Sequence, residues 1–438
     1  MLGVLAHRTY RHLFAAQVIA LVGTGLATVA LGLLAYEIAG ADAGAVLGTA
    51  LAIKMVAYIG IAPVVGAYAD RLPRKGLLVA MDLVRAGVAL VLPFVDAVWQ
   101  VYALIFLLQS ASAAFTPTFQ ATIPEILPEE EDYTNALSLS RLAYDLESLL
   151  SPMLAAALLS VISFHWLFAG TSVGFAASAL LVVTSALPHR KAAAKVVESV
   201  WRKTTRGARI YLRTPRLVGL LAITLAAAAG SAMVIVNTVV IVKGMGRGQE
   251  DVALALAVYG GGSMLVALVL PRLLRRVADR TVMLGGAAVL AFVLAAMAAL
   301  ALSWPALLAG WLVMGMGYAL CVTPGGRLLR RSSNEPDRPA LFAAQFALSH
   351  VCWLLAYPVA GQIGALAGMA TTFAALAVLA LAGVVIALWR WPRIEPDKLG
   401  HEHPELPADH PHLLEHGSGH HAHAYVIDDL HSHWPGRG

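Results

Sequence analysis

The sequence predicts an all-α integral membrane protein whose twelve transmembrane helices form two pseudo-symmetric six-helix halves. Of its 438 residues, 59% are hydrophobic and only 13% are charged, whereas soluble domains average about 25% charged residues. Twelve apolar stretches each reach the length of about 20 residues that a bilayer-spanning helix needs. Basic and proline positions also recur along the chain at an offset of 205 to 207 residues.

The predicted spans divide the chain into two halves, a linker and a tail. The spans are 12–36, 44–69, 77–95, 98–121, 137–163, 166–187, 216–242, 252–273, 281–302, 304–326, 340–365 and 369–391. The resulting units are an N-terminal half 1–187, a basic amphipathic linker 188–215, a C-terminal half 216–391 and a tail 392–438. The first apolar run is too long for the core of a signal peptide, so it is interpreted as the first span.

Basic residues concentrate in the loops on one side of the predicted membrane. The loops on the other side carry only Lys243 and Arg247. The positive-inside rule therefore places both termini in the cytoplasm. We expect a monomeric, multi-pass protein of the bacterial inner (cytoplasmic) membrane. The net charge of +5 does not indicate nucleic-acid binding, because the basic residues lie between apolar segments.

The two halves repeat each other at a nearly constant spacing. The Arg8–Arg11 segment before span 1 resembles Arg213–Arg216 before span 7, and Pro117 and Pro152 recur as Pro324 and Pro358. Duplicated halves of this kind are typical of secondary transporters, which place the substrate near the middle of the membrane between the repeats.

The loop after span 2 resembles the signature of the major facilitator superfamily. Its sequence, GAYADRLPRK, is similar to the family motif Gly-x-x-x-Asp-Arg-x-Gly-Arg-Lys. The matching residues are Gly66, Asp70, Arg71, Arg74 and Lys75. Pro73 replaces the second glycine, and Arg276 occupies the place of Asp70 in the second-half copy. The resemblance implies the fold of that superfamily and a gating role for this loop. The alternative is that these basic residues only anchor the loop at the membrane surface.

Span 5 carries three charged residues at membrane depth: Arg141, Asp145 and Glu147. On a helix they share one face with several serines, while leucines occupy the opposite face. Intramembrane charges mark transport pathways or structural pairs. Arg141 and Asp145, one turn apart, can neutralise each other. Glu147 has no such partner on its own helix and is the better candidate for proton coupling. Lys54 in span 2 could neutralise Asp145 or Glu147, or extend outward to the interface.

Polar residues form stripes on spans 1, 4 and 7, which line the central cavity according to the resemblance to the major facilitator superfamily. They are Gln17, Thr24 and Thr28 in span 1, Gln109, Ser112, Thr116 and Gln120 in span 4, and Thr224, Ser231 and Thr238 in span 7. They predict either a hydrated path or hydrogen bonds between helices.

His350 in span 11 is the only histidine well inside a predicted span. Imidazole is a common ligand of nickel, cobalt and zinc. A hydrogen-bonded structural group or a proton carrier are the alternatives. Spans 5 and 11 are pseudo-equivalent, so His350 could face Asp145 and Glu147 across the site.

The C-terminal tail contains ten of the fifteen histidines. They are His401, His403, His410, His412, His416, His420, His421, His423, His431 and His433. Interspersed prolines and glycines predict a disordered tract that binds divalent metal loosely. A twelve-helix facilitator with such a tail resembles the bacterial nickel-resistance exporters of the NreB type. The resemblance implies proton-driven export of Ni²⁺, with Co²⁺ as a further substrate.

Two other functions stay open. One is a drug or siderophore exporter with an incidental tail. The other is a metal-sensing receptor, which the duplicated halves and the gating motif argue against. The sequence shows no catalytic or nucleotide-binding motif, so we expect neither an enzyme nor a cofactor. The expected partners are the metal ion, protons and the lipid bilayer, with the tail raising local metal supply and translocation occurring elsewhere.

Overall fold

A computed structural model describes most of the chain. The described residues are 2–68, 73–187, 200–334, 337–393, 398–402, 407, 411–416, 420–423, 425–428, 430–431 and 433–434. The N-terminal helices are α1 Arg8–Ala39, α2 Ala43–Tyr68, α3 Arg74–Val91, α4 Val98–Ile126, α5 Glu130–Leu159 and α6 Phe164–Thr184. Then come α7 Val200–Arg213, α8 Pro215–Gly244, α9 Gln249–Leu273, α10 Asp279–Ala299, α11 Trp304–Val322, α12 Gly325–Arg331 and α13 Arg338–Arg390. The tail contributes β1 Leu399–His401, α14 Pro411–His416 and β2 His421–His423.

The long helices have the length and surface of membrane spans. Within the described residues, nine stretches are long and apolar enough to cross a bilayer. Two of these, 8–61 and 340–390, each contain two helical passes. Helix α5 has the length but carries the charges already noted. Large apolar side chains such as Phe292, which is 72% exposed, cover the outer surface. Such a surface is stable in lipid, and the predicted twelve-helix fold is confirmed.

Gly368 explains how one continuous helix contains two predicted spans. Its φ of 79° lies in the left-handed region, which an L-residue enters only at a cost. The backbone therefore turns there, and α13 forms two arms that correspond to spans 11 and 12. At Pro324, one of the repeated prolines, the structure differs from the prediction. Helix α11 ends at Val322, and Pro324 caps the short α12 instead of lying inside span 10.

The linker contains a helix that docks on the C-terminal half. The Arg206 guanidinium of α7 donates to the Asp337 carboxylate at 2.7 Å, and Tyr211 donates to Gln345. Gly207 allows the close approach, since a Cβ there would lie 2.1 Å from the Ala340 carbonyl oxygen. Residues 188–199 lie outside the described part of the chain.

The two halves meet mainly through two helix pairs, and α1 and α2 also contact α8. Helix α2 packs against α13, and α5 packs against α9. A two-fold exchange of the halves converts one pair into the other, as duplication predicts. On the side of the molecule opposite the termini, the α2–α13 contact is very close. A Cβ at Gly48 would lie 2.6 Å from the Tyr357 carbonyl oxygen, and Gln362 donates to Thr49 at 3.0 Å. The halves are therefore closed on that side.

We expect Gly48→Val to hold the halves apart on the side opposite the termini, because the added side chain would overlap the backbone of α13. Spin labels at the exposed positions Asp42 and Ala367 should show a longer mean distance in this variant. Gly60→Val on the same helix is the matched control, since a Cβ there meets nothing within 4 Å. Equal distances in both variants would show that the α2–α13 contact does not control closure.

Candidate central site and histidine cluster

Lys54 and Glu147 are two opposite charges that interact inside the membrane domain; we call this pair and its surroundings the central site. Lys54 lies in the middle of α2 and interacts with Glu147 of α5, and both side chains are half-buried. The Ser151 hydroxyl lies beside the same carboxylate. Helix α1 makes room for both groups with Gly25, where a Cβ would lie 2.6 Å from Glu147 Oε1 and 2.1 Å from Ser151 Oγ. Among the described side chains, Glu147 is therefore an interaction partner of Lys54, while the side chain of Asp145 lies outside the described set.

His350 approaches the same centre from the C-terminal half. Its Nδ1 lies 2.6 Å from the Phe346 carbonyl oxygen, so Nδ1 carries the proton and Nε2 is left as an acceptor or ligand. The imidazole stacks on Tyr58 of α2, with ring centroids 5.2 Å apart and an interplanar angle of 11°. Lys54 acts electrostatically on His350 as well as on Glu147. The structure thus brings together three predicted site residues from three helices and both halves.

Several residues of the polar stripes form hydrogen bonds within their own helix or to a neighbouring helix. Thr24 and Thr28 donate to backbone carbonyls one turn back, at 2.9 and 3.0 Å. Ser140 of α5 donates to the Gln17 side chain of α1 at 3.0 Å, and Trp311 of α11 donates to Thr238 of α8 at 2.8 Å. Of the two interpretations, these contacts support hydrogen bonds within and between helices.

Only part of the loop motif and of the span 5 charges lies in the described structure. Asp70 and Arg71 lie outside it, and Gly66 lies on α2. Arg74 begins α3, and the Lys75 ammonium donates to the Ser185 carbonyl oxygen at 2.9 Å, an anchor within the N-terminal half. The gating role stays a prediction. The side chains of Arg141 and Asp145 on α5 are also outside the described set, so their pairing stays open.

The described residues of the tail include a short hairpin and a short helix. Strands β1 and β2 pair antiparallel, with His401 opposite His421 and Leu399 opposite His423. Leu413, Tyr425 and Ile427 are buried. The prolines and glycines exclude a long helix, but they do not prevent a short hairpin from burying apolar side chains between them.

The fold gathers tail histidines into one cluster. Each of His401, His412, His421 and His423 offers a ring nitrogen within 4.8 Å of those of the others. His431 joins them, since its Nε2 lies 3.1 Å from His401 Nε2. We call these five residues the histidine cluster. Its donor set suits borderline divalent metals.

Neighbouring groups orient two of these rings. The Asp428 carboxylate accepts from His431 Nδ1 at 2.9 Å and from the backbone N–H of His431 at 2.8 Å. His401 Nδ1 lies 3.0 Å from the Leu399 carbonyl oxygen. Both contacts leave Nε2 directed into the cluster, as in established metal sites where a second partner fixes the ligand tautomer.

The remaining tail histidines do not join the cluster within the described structure. His420 and His433 are exposed. His416 ends α14, and its side chain lies outside the description, as do His403 and His410 entirely. The tail docks on the C-terminal half, because Tyr425 and Ile427 are buried in the same apolar cluster as Leu217 and Trp391. The Arg216 guanidinium also lies 5.3 Å from the ring centroid of Trp434.

A second buried charge pair escaped the sequence analysis. Arg85 and Asp82 pair on α3, and Ser178 of α6 donates to the Asp82 carboxylate at 2.7 Å. The Arg85 guanidinium is sandwiched between the rings of Phe115 at 4.3 Å and Phe175 at 4.5 Å. Two opposite charges three residues apart in an apolar span are the sequence signal for this pair. It fastens α3 to α4 and α6.

Comparisons with known proteins place this architecture in a family. Over 152 residues the chain is 27% identical to "Macrolide efflux protein A" of Streptococcus pyogenes, a match that spans 32% of the chain and 37% of the length of that relative. It is also 27% identical over 124 residues to "Uncharacterized MFS-type transporter YfiS" of Bacillus subtilis (strain 168), covering 28% of the chain and 30% of the relative.

Solved transporters share the fold over most of the chain. The nucleoside transporter NupG superposes with a TM-score of 0.65 at 14% identity, covering 89% of this chain and 100% of that one. A bacterial homolog of the human lysosomal transporter Spinster, inward-facing and unoccupied, gives 0.67 at 12% identity over 88% and 98%. The family model described as "Major Facilitator Superfamily" matches residues 13–302 and 220–412. The chain therefore belongs to the Major Facilitator Superfamily, a family of multi-pass membrane transporters.

Proposed function

We propose that this transporter exports a divalent metal ion, Ni²⁺ first and Co²⁺ next, from the cytoplasm in exchange for protons. The observation that carries the proposal is the histidine cluster, which is preformed and docked on the transport domain. Nitrogen ligands of this kind select nickel, cobalt and zinc over magnesium and calcium. The efflux role of relatives such as the macrolide efflux protein agrees with the proposed direction.

The central site can exchange cations at one carboxylate. Among the described residues, Lys54 is the cation that interacts with Glu147. A proton or a metal ion that reaches Glu147 must compete with Lys54, because a buried carboxylate favours one compensating charge at a time. His350, from the other half, offers Nε2 as a second ligand. Loading and unloading Glu147 would thereby change the attraction between α5 and α2, which is a physical route for coupling.

The histidine cluster supplies metal without being the translocation site. It belongs to the tail, in which the ring of Trp434 lies against the Arg216 guanidinium at the beginning of α8. A tethered site of this kind raises the local concentration of metal near the entrance of the transport path. It acts most when cytoplasmic metal is scarce.

A hydrophobic organic cation is the second candidate substrate. The rings of Tyr58, Phe346 and His350 contact one another, and those of Tyr58 and His350 are stacked. Aromatic faces bind organic cations, and one relative carries the name of a macrolide exporter. Everted membrane vesicles with an imposed pH gradient test both, using Ni²⁺, Co²⁺, Zn²⁺ and a macrolide as substrates. Gradient-driven accumulation of the macrolide but of no metal would replace the metal proposal with this one.

Glu147→Gln should abolish pH-gradient-driven Ni²⁺ accumulation in these vesicles, because an amide cannot alternate between proton and metal. Glu37→Gln is the control for loss of a carboxylate, since Glu37 is exposed at the end of α1. Accumulation equal to the parent over a range of pH would show that Glu147 is not the coupling group.

A double variant of Lys54 and Glu147 distinguishes two roles of Glu147: carrying the coupled proton and merely compensating the charge of Lys54. If Glu147 only compensates Lys54, then Lys54→Gln combined with Glu147→Gln removes both charges and should restore gradient-driven transport. If Glu147 carries the proton, the double variant stays uncoupled. We expect the second outcome, checked by the pH dependence of Ni²⁺ accumulation.

The double variant His412→Ala/His423→Ala should lower Ni²⁺ export at low metal concentration and leave the saturated rate nearly unchanged. Both imidazoles belong to the four that converge on one point. Export rates measured over a range of Ni²⁺ concentrations check this split.

His420→Ala is the matched control, because His420 is an exposed tail histidine outside the cluster. It should behave like the parent at every metal concentration. Loss of the saturated rate in the cluster variant would place the cluster in the translocation path and contradict a supply role.

The protonation of His401 and Asp428 determines the pH range in which the tail stays folded. Burial, with the nearby imidazoles His423, His431 and His421, lowers the pKa of His401 from 6.5 to about 4. Burial would raise the pKa of Asp428, but hydrogen bonds from His431 lower it below 3.8. Both groups therefore bind protons more tightly in the unfolded tail than in the folded one. Their contribution to tail stability is present above the unfolded pKa and is lost as pH falls.

The metal-free tail should therefore unfold progressively as pH falls from 6.5 toward 4. Hydrogen exchange of residues 399–434 in the full chain measures this, after correction for the intrinsic pH dependence of exchange. Saturating Ni²⁺ should shift the loss of protection to lower pH, because metal binds only the neutral imidazoles. Protection that stays constant across this range without metal would contradict the assignment of His401.

A further inference from the structure

A strongly cationic cavity lies at the end of the C-terminal half nearest the termini. Its volume is about 360 Å³, and it is enclosed by the α9–α10 loop, α12 and the residues that follow α13. Six arginines line it: Arg275, Arg276, Arg280, Arg327, Arg331 and Arg393. The lining has one carboxylate, that of Asp279, which lies 3.5 Å from the Arg327 guanidinium.

Among the described residues that line the cavity, arginines outnumber carboxylates. Arg280 donates through Nε to the Trp391 carbonyl oxygen at 3.1 Å, while its buried Nη2 finds no hydrogen-bond partner among the described residues. Arg275 and Arg393 line the cavity with exposed side chains. A cavity lined mainly by one sign of charge has a positive potential that favours a bound anion. Planar guanidinium groups match the oxygens of a phosphate in paired hydrogen bonds.

The cavity lies at the level of the lipid headgroups. On the outer face of α13, Val385 and Leu388 are 55% and 50% exposed, as hydrocarbon-facing residues are. Trp389 follows with 68% exposure, and the Arg390 guanidinium lies 4.4 Å from its ring centroid. Exposed tryptophan beside arginine is typical of the membrane–water boundary. Trp391, buried, then lines the cavity itself.

We infer that this cavity binds the phosphate of an anionic phospholipid, such as phosphatidylglycerol. Basic pockets between membrane helices at the interface bind anionic headgroups. The bound phosphate joins the α9–α10 loop, α12 and the end of α13 into one unit. The α9–α10 loop of the second half has Arg276 at the position where the first-half motif has Asp70. The acidic residue of the first-half motif is therefore replaced in the second half by an arginine that lines the lipid site. The inference is independent of which substrate is transported.

Native mass spectrometry of the full chain with added phosphatidylglycerol or phosphatidylcholine tests the site. The parent should retain phosphatidylglycerol preferentially. Arg275→Gln/Arg393→Gln should weaken its binding by about 30-fold, since each basic side chain contributes roughly five-fold at an anionic surface. Arg8→Gln/Arg209→Gln is the matched control, because it removes two exposed arginines outside the cavity.

Three outcomes of this experiment would contradict the lipid site. A control pair that weakens binding as much as the cavity pair would attribute retention to general surface charge and overturn the site. Equal retention of both lipids by the parent would also overturn it. Inorganic phosphate and glycerol phosphate separate the two sources of the phosphate group. If either displaces phosphatidylglycerol at equimolar concentration, the cavity is a site for a soluble phosphate and the lipid assignment is wrong.

Discussion

The compensation of charge inside a low-dielectric membrane is the constraint on which this structure depends. An isolated ion there is expensive, so each buried charge needs a partner close by. Arg85 and Asp82 satisfy the constraint on one helix and are sealed between two phenylalanine rings. Lys54 and Glu147 satisfy it between two helices, with Ser151 alongside. The first pair lies on a single helix against two aromatic rings, whereas the second joins two helices, and for this reason we propose cation exchange at the second pair.

Closure of the halves depends on backbone contact on the side opposite the termini. At Gly48 and Gly361 the helices approach so closely that a Cβ would lie 2.6 and 2.4 Å from a carbonyl oxygen of the other half. Contacts of this kind are either fully made or lost, so the halves favour discrete arrangements over gradual bending. The Lys54–Glu147 pair joins α2 to α5, and α2 is the helix that makes this contact with α13. A change of charge at the centre therefore acts on an element that closure requires.

The sequence predicts the helices of the membrane domain well, because hydrophobic length and positional repeats are local properties. It also identifies Glu147, Lys54 and His350 as exceptional, since charged and titratable groups are rare in apolar spans. It leaves the partner of Lys54 open between Asp145 and Glu147, because that choice depends on helix packing. The docked tail was not predicted, since its hairpin joins residues about twenty positions apart and its folding depends on burying Tyr425 and Ile427. The Asp82–Arg85 pair was visible in the sequence as two opposite charges one turn apart.

The position of the tail connects the histidine cluster with the transport cycle. The tail packs on the C-terminal half through Tyr425, Ile427 and the Arg216–Trp434 contact. His350 belongs to that half, whereas Glu147 belongs to the other. If alternating access is a rocking of one half against the other, the cluster moves with His350 and changes its distance to Glu147. In the proposed metal export, an ion that leaves the cluster would meet His350, on the half that carries the tail, before it meets Glu147 across the interface. That order would keep the ion bound to neutral nitrogen ligands until the halves close around the carboxylate that we propose protons also occupy.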